Sequence, residues 1–161
     1  MGAAARSRPL HAKYAFTVHD LSGGIREAKF QKATGAEITF AIGEYTEGGA
    51  IAPMKESTRQ SFSNVTLEHG VFENEELYDW VLEAGDVMAH VPEGLGVDSP
   101  DHLRNFEIRQ LRRSRSVLMS VRLHNAQPAR FKPGEFDNTS DDIQVEELEL
   151  AYEYFTKKLG W

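Results

Sequence analysis

Runs of residues that alternate between apolar and polar are the feature that most constrains the fold of this chain. Val117, Met119, Val121 and Leu123 occupy every second position of one such run. Because the side chains of a β-strand point to its two faces in turn, the run predicts a strand with one buried face. The chain is therefore predicted to be mainly β. Further candidate strands lie at residues 13–19, 36–45 and 62–68, and another carries Phe106 and Ile108.

The segments between these strands differ in length and character. Residues 25–33 form a weaker candidate strand, and a Thr-Gly turn leads from it into residues 36–45, so the two are predicted to pair as a hairpin. Residues 46–63 break both strand and helix periodicities with two adjacent glycines, a proline and a polar run. We expect a long loop there, and loops of this length in a compact domain are usually functional.

One segment, residues 74–84, has helical periodicity on a single face. Asn74 is suited to the N-cap, and Gly85 is suited to the position that ends a helix. The predicted apolar face consists of Leu77, Trp80, Val81 and Ala84.

A length of 161 residues fits one domain with its own core. We expect residues 1–12 to form a flexible N-terminal arm and residues 13–161 a single β domain. The predicted fold class is two packed antiparallel sheets in a small barrel or sandwich, with one flanking α-helix and one long loop. Residues 143–155 fit either a helix or a strand, and periodicity leaves both open. The predicted core consists of Phe40, Val65, Leu67, Leu77, Trp80 and Val121.

Residues that carry catalysis or metal binding form no recognisable motif in this chain. There is no cysteine, which excludes disulfides and thiolate metal sites and fits assembly in a reducing cytoplasm. The six histidines are scattered, and no phosphate-binding loop or metalloprotease helix motif occurs. We therefore predict no enzyme activity, no cofactor and no metal. A Ser-His-Asp triad assembled in space stays open as an alternative.

Charge is distributed unevenly along the chain. The net charge of −7 argues against general affinity for nucleic acid. Five arginines nevertheless crowd one predicted hairpin, where they would either bind phosphate or pair with acidic strands of a neighbouring subunit. The lack of interleaved aromatic residues favours the second reading. These residues are Arg104, Arg109, Arg112, Arg113 and Arg115, and the acidic run near the end contains Glu146, Glu147, Glu149 and Glu153.

Several short motifs resemble a known family, and they occur in the same order. Residues 64–70 read N-V-T-L-E-H-G, and residues 76–80 read E-L-Y-D-W. Together they are similar to a strand and an L-x-x-W helix of the tail tube family of T4-like contractile phages. Residues 42–45 (I-G-E-Y), 125–128 (N-A-Q-P) and 145–153 (V-E-E-L-E-L-A-Y-E) resemble three further motifs of that family. The resemblance spans nearly the whole chain.

The sequence departs from the family pattern at three places, one of which is a long loop at residues 85–102. Gln127 stands where the family's corner motif has a tryptophan, and residues 52–55 lack the glycine of the family's long loop. These departures leave open a specialised ring near the baseplate rather than the main tube subunit.

The resemblance implies a structural subunit of the inner tube of a contractile tail or injection system. Six subunits would form a ring, rings would stack into a tube, and residues 145–155 would be a strand. The implied partners are further copies of itself, the contractile sheath, the baseplate and the tail terminator. DNA or protein cargo would pass transiently through the channel, and no membrane would be involved. The expected location is a virion tail or injection particle, assembled in the bacterial cytoplasm.

Two sets of candidate assembly residues follow from this reading. The polar phase of the predicted strands would face the channel, and the long loop would contact the adjacent ring. The channel candidates are Glu27, Lys29, Gln31, Glu37, Thr39, Asn105, Glu107, Arg109, Ser120 and Arg122. The inter-ring candidates are Glu47, Gly48, Gly49, Pro53, Met54, Lys55 and Arg59.

Two other functions are consistent with the same residues. A secreted carrier ring of a type VI system would have the same tube architecture. A monomeric module that binds nucleic acid would use the arginines of residues 104–115.

Overall fold

The computed structural model describes residues 15–25, 30–49, 51–70, 76–89, 102–136, 139 and 144–160. These residues are mainly β, as predicted, with the helix α1 at Glu76–Ala89. No helix among the described residues is long and apolar enough to span a membrane. The arm predicted for residues 1–12 lies outside the described residues. The strands are β1 (Phe16–Asp20), β2 (Lys32–Thr34), β3 (Ile38–Tyr45), β4 (Met54–Phe62), β5 (Val65–Gly70), β6 (Arg104–Leu111), β7 (Val117–Lys132), β8 (Val145–Ala151) and β9 (Tyr154–Leu159).

The long strand β7 connects two antiparallel halves of one sheet. Its first part pairs with β6 and β9, and its second part, from Gln127 onward, pairs with β8. Between the two parts Asn125 has a φ of +52°, a left-handed conformation that Asn tolerates better than most residues. We call β1, β6, β9 and the first part of β7 the front half. The back half consists of the second part of β7 with β8, β5 and β2.

The two halves enclose the hydrophobic core, and α1 covers it. Front-half residues Phe106 and Leu123 and back-half residues Leu67 and Leu148 are all buried. The described strand path runs from β1 to β2 without closing, so the arrangement is a sandwich rather than a closed barrel. The core cluster contains Val18, Ile25, Val65, Leu67, Leu77, Trp80, Phe106, Leu123, Ala126, Leu148 and Leu150.

The predicted core residues divide into three groups. Leu77 and Trp80 of α1 and Val65 and Leu67 of β5 are buried, and Val121 is half-buried against the cluster. Phe40, by contrast, is 51% exposed, and its assignment to the core is wrong for the protomer. It lies on β3, which among the described strands pairs with β4 alone, in a separate two-stranded sheet.

The loop predicted for residues 46–63 is also wrong, because most of it is the strand β4. β4 pairs with β3 from Ile38 opposite Phe62 to Tyr45 opposite Met54, with a bulge near Ala41. All residues of β4 except Phe62 are exposed. A strand that is wetted on both faces has no apolar alternation, so its sequence carries no strand signal.

The hairpin predicted between residues 25–33 and 36–45 is not formed. β2 pairs with β5, with Lys32 opposite Glu68, and β3 turns away to pair with β4. Gly35, at a φ of +104°, lies at this change of direction, and a Cβ there would overlap the carbonyl oxygen of Asn64. The close approach of two backbones requires glycine at this position.

The helix and the final segment differ from the predictions at their boundaries. α1 continues through Gly85 to Ala89, so Gly85 does not end it, and Asn74 lies outside the described residues. Residues 145–155 are extended, as the family resemblance implied, but they divide into two strands. The break lies at Tyr152 and Glu153, where the chain passes from the back half to the front half.

The carboxylate of Asp20 joins β1, β6 and the turn after β1. Its side chain is fully buried, and it accepts hydrogen bonds from the backbone N–H groups of Ser22, Gly24 and Ile25 at 2.8–3.0 Å. Arg104 Nη1 donates a fourth hydrogen bond at 2.8 Å, and its guanidinium lies 5.7 Å from the Trp80 ring centre. This network fixes the front half against α1.

We expect Asp20→Ala to lower the free energy of unfolding by about 3–5 kcal/mol, because it leaves the largely buried Arg104 charge without its closest partner. Glu44→Ala provides the control, since Glu44 and Lys55 form an ion pair with both side chains more than half exposed. The control should cost about 1 kcal/mol or less. Urea titration measures both changes, and equal losses for the two variants would contradict the role of Asp20.

We expect Trp80→Ala to cost about 3–5 kcal/mol, because the indole is buried and a cavity would remain. Its Nε1 also donates a hydrogen bond of 2.8 Å to the carbonyl oxygen of His102. Leu82→Ala on the exposed face of the same helix should cost less than about 1 kcal/mol. A loss below about 1 kcal/mol for Trp80→Ala would show that the indole is not part of the core.

Candidate assembly surfaces

The outer side of the front half is a polar face made of two cross-strand rows. One row places His19, Glu107, Arg122 and Thr156 side by side, and the other places Thr17, Arg109, Ser120 and Lys158 side by side. His124 and Tyr154 extend this face at one end, where their rings stack at 4.3 Å. We call these ten residues the polar face.

Glu107 lies at the centre of the polar face and is only 2% exposed. Arg109 Nε donates to its Oε2 at 2.6 Å, and Arg122 Nη2 donates to its Oε1 at 3.4 Å. The expectation that Glu107 and the equally buried Ser120 are wetted is wrong for the protomer. Arg109 and Arg122 pair with Glu107 from the solvent side, so the accessible layer of this face is cationic and hydroxylic.

The structure brings together only part of the predicted channel set. Asn105, Glu107, Arg109, Ser120 and Arg122 all lie on β6 and β7. The remaining described candidates, Gln31, Glu37 and Thr39, lie around β2 and at the start of β3, and Glu27 and Lys29 are outside the described residues.

Sequence reasoning missed the contributions of β1 and β9 to the polar face. The alternation of β1 contains the signal, because Thr17 and His19 alternate with the apolar residues Phe16 and Val18. The β9 residues carried no usable signal, since the final segment fitted helix and strand equally well. Only the pairing of β9 with β7 places Thr156 and Lys158 beside Arg122 and Ser120.

The β3–β4 hairpin is the second candidate surface, and one of its faces carries a row of apolar side chains that the described residues do not cover. Ile38, Phe40 and Ile42 share this face, and they are 39%, 51% and 55% exposed. Near the tip, Tyr45 and Met54 are exposed as well. A two-stranded sheet is marginally stable in water, so a face of this kind gains stability when another surface covers it.

The base of the hairpin is anchored to the sandwich by aromatic contacts. The Phe62 ring lies 6.0 Å from Tyr152 and 5.9 Å from Phe155. The Tyr152 hydroxyl donates a hydrogen bond of 2.7 Å to the carbonyl oxygen of Ser63, and burial raises the pKa of this phenol. The hairpin is therefore held at one end and free to contact a partner along its length.

The predicted inter-ring residues lie on this hairpin. Residues 47–49 and Pro53 are in the connection between β3 and β4, and Met54, Lys55 and Arg59 are on β4. Thr58 occupies the bulge, where its hydroxyl donates to the carbonyl oxygen of Ala41 at 3.0 Å.

The outer side of the back half carries Glu147 and Glu149 of the acidic run, and both are paired with Arg130. Arg130 contacts Glu147 and Glu149 at 3.3 and 3.1 Å, and Lys32 contacts Glu68 at 2.7 Å. Hydrogen bonds from Asn64 and Arg130 lower the pKa of Glu149, and the hydrogen bond to Glu68 raises the pKa of Lys32. This surface is solvated and internally compensated.

The five crowded arginines do not form one patch. Arg104 pairs with Asp20, and Arg109 pairs with Glu107. Arg112, Arg113 and Arg115 lie together in the exposed turn between β6 and β7.

The two remaining observations concern a groove beside α1 and the capacity of the described residues to bind a metal ion. A groove of 330 Å³ lies between α1 and the second part of β7, lined by Val81, Ala84 and Gly85 and by residues 127–131. Among the described residues, no three His, Asp or Glu side chains lie close enough together to hold a metal ion.

Comparisons with known proteins agree with this geometry. The chain is 24% identical to a protein of an extracellular contractile injection system sheath–tube complex, the PVC system in its extended state, with a TM-score of 0.73 and coverage of 93% of this chain and 92% of the other. A protein of the six-fold symmetrised anti-feeding prophage baseplate is 20% identical, with a TM-score of 0.71 and coverage of 94% and 97%.

A type six secretion system protein shows a weaker likeness. It is 9% identical, with a TM-score of 0.52 and coverage of 89% of this chain and 82% of the other. No curated protein sequence matches the chain significantly. The model of the family described as "T4-like virus tail tube protein gp19" matches residues 12–156, which is nearly the whole chain. The chain therefore belongs to the T4-like virus tail tube protein family.

Proposed function

We propose that this protein is the structural subunit of the inner tube of a contractile tail or injection particle, and that it forms six-fold rings that stack. The uncovered apolar face of the β3–β4 hairpin is the observation that carries this proposal. A protomer of the tube family that leaves Ile38, Phe40 and Ile42 in water needs a second surface to cover them. In a ring, the adjacent copy supplies that surface.

The layering of the fold supports a radial orientation of the protomer. Phe106 and Leu123 point from the front half toward the core and α1. Glu107 and Arg122, their neighbours in sequence, point to the opposite side. The ring centres of Phe106 and Trp80 are 5.3 Å apart. A protomer with its polar face toward the channel therefore presents α1 to the outside of the tube.

The accessible chemistry of the polar face suits a channel for cargo. Arg109, Arg122 and Lys158 provide three cations, and Glu107 provides one buried anion. A mixed surface with many hydroxyl and imidazole groups limits strong adhesion of either DNA or a protein. The channel residues predicted from sequence stay a proposal, and among those that lie on the polar face Arg109 and Arg122 reach solvent.

The outer surfaces suit the partners of such a tube. Tyr78 and Leu82 of α1 are exposed, and the adjacent groove ends at Phe131. We assign this side to the contractile sheath and the two ends of the ring to the baseplate and the tail terminator. The role is structural and needs no catalytic chemistry. Assembly would take place in the bacterial cytoplasm, which suits a chain without cysteine.

The other two functions are less well supported. The likeness to the type six secretion system protein is weaker than that to the contractile injection system protein, with TM-scores of 0.52 and 0.73. The nucleic-acid-binding module loses part of its patch, because Arg104 and Arg109 are ion-paired within the protomer and leave three arginines in the β6–β7 turn.

We expect the purified protein to form rings or hollow tubes at high concentration. Native mass measurement combined with negative-stain electron microscopy tests this expectation. A monomer at every concentration would contradict the proposed function.

We expect the double variant Phe40→Ser, Ile42→Ser to remain folded and to lose tube assembly. Both side chains are exposed in the protomer, so the free energy of unfolding should change by only about 0.5 kcal/mol. The loss of assembly follows because the buried apolar area of the contact is removed. Thermal unfolding and electron microscopy measure the two effects.

The matched control changes the opposite face of the same strand, with Thr39→Ser and Ala41→Ser, and it should still assemble. Deletion of residues 50–59 removes most of β4 and should likewise leave a folded sandwich that does not polymerise. Normal tubes from either Phe40→Ser, Ile42→Ser or the deletion would exclude the hairpin as an assembly element.

A further inference from the structure

The turn between β6 and β7 concentrates positive charge on an otherwise acidic protein. Arg112, Arg113 and Arg115 are all exposed within residues 112–116. Two backbone hydrogen bonds of 2.8 Å close the turn, from Arg112 N to the Ser116 carbonyl and from Arg115 N to the Arg112 carbonyl. The hydroxyls of Ser114 and Ser116 lie 2.9 Å apart. We call residues 112–116 the arginine turn.

The arginine turn differs from the other arginines of β6 and β7. Arg104, Arg109, Arg122 and Arg130 each form an ion pair within the chain. Among the described residues, no carboxylate pairs with the three arginines of the turn. Their positive charge is therefore available to a partner.

The turn lies at one end of the front half, and two lysines of β9 lie at the same end. The last residues of β9 run beside the start of β7, with Lys158 opposite Ser120 and Lys157 opposite Val121. Gly160 N donates to the carbonyl oxygen of Leu118 at 2.8 Å, which fixes the end of β9 next to the turn. Lys157 and Lys158 thus add to the charge of the turn.

The opposite end of the same strands carries two exposed carboxylates among the described residues, Glu83 and Glu153. Glu153 is exposed, and its backbone N–H donates to the His124 carbonyl at the far end of the β7–β9 pairing. Glu83 of α1 lies 3.9 Å from Arg104 at the start of β6, and its side chain is 56% exposed. Arg104 itself is largely buried and is neutralised by Asp20. We call Glu83 and Glu153 the acidic end, and it lies roughly 20–25 Å from the arginine turn along the strands.

Opposite charges at the two ends of one protomer suit head-to-tail association of identical copies. In such a heterologous contact, one end of each copy meets the other end of the next, and the contact repeats without closing. A nucleic acid fits the turn less well, because the whole chain is acidic and the turn contains no aromatic ring for base stacking.

We propose that the arginine turn is an inter-ring contact, which docks on the acidic end of a copy in the next ring. This inference rests on the proposed tube function and identifies the surfaces that meet. A single exposed ion pair is weak, but in a six-fold ring the contact is repeated around the whole circumference. The contact also gives tube assembly a dependence on salt, because exposed ion pairs are screened.

The first test reverses charge on one side of the contact. Arg112→Glu with Arg113→Glu changes the turn from three positive charges to a net single negative charge, and it leaves Arg115 in its left-handed conformation, at a φ of +63°. We expect intact rings by native mass, but a critical concentration for tube formation that is about tenfold higher or more. Arg112→Lys with Arg113→Lys retains the charge and should form tubes normally.

The second test restores complementarity between two reversed surfaces. Glu83→Lys with Glu153→Lys makes the acidic end basic, and this variant alone should also form rings without tubes. Mixed in equal amounts, the two reversed variants present a negative turn to a positive end and a positive turn to a negative end. The mixture should therefore form tubes in which the two variants alternate. Glu83→Lys alone, which leaves the hydrogen bond of 2.8 Å from Asn125 Nδ2 to the Glu153 carboxylate intact, serves as a second variant if the double change alters thermal unfolding.

The outcomes separate this contact from the proposed function. Tubes of Arg112→Glu, Arg113→Glu at the wild-type concentration and salt would overturn the role of the turn. Rings that fail to stack even in the mixture would exclude the acidic end as its partner. Retention of a labelled DNA duplex by wild-type protein, lost in Arg112→Glu, Arg113→Glu, would assign the turn to phosphate binding instead. Wild-type protein that stays monomeric would contradict the tube function itself, and this contact with it.

Discussion

The shared strand β7 is the constraint on which the rest of the structure depends. Its first part carries the front half and its second part carries the back half, so a single change of direction at Asn125 sets how the two halves face each other. Ala126, next to the bend, is fully buried, and no larger side chain would fit there without displacing the core. β8 and β9 follow the same change of direction at Glu153, whose backbone bonds to His124.

This arrangement also determines which surfaces are left for partners. The core takes the inner faces of both halves and one face of α1, so the polar face and the outer face of α1 lie on opposite sides of the front half. The β3–β4 hairpin has no place in the sandwich, because its base is anchored by Phe62 while the rest of its length stays outside. The protomer therefore has a packed core but leaves the apolar side chains of the hairpin exposed. Such a combination is expected of a subunit in which the residues that stabilise the fold differ from the residues that contact partners.

The predictions succeeded where one face of an element is buried and failed where none is. Val65 and Leu67 alternate with polar residues and lie in the core, and Trp80 and Leu77 follow the helical period. In β4 every residue but Phe62 is exposed, so no pattern marked it as a strand. Phe40 shows the converse error. The alternation around it identified the strand correctly, but periodicity cannot distinguish an apolar face that the same chain covers from one that stays exposed.

The sequence by itself determined the mainly β class, the position of the helix, the core residues of β5 and α1, and the tube family. Each of these depends on residues close together in the chain, where the period of a strand or helix is directly readable. Only the tertiary structure decided that β2 pairs with β5, that β9 completes the polar face, and that Glu107 is buried beneath Arg109 and Arg122. These features join residues far apart in sequence, and pairing register and ion-pair geometry leave no local pattern from which they could be predicted.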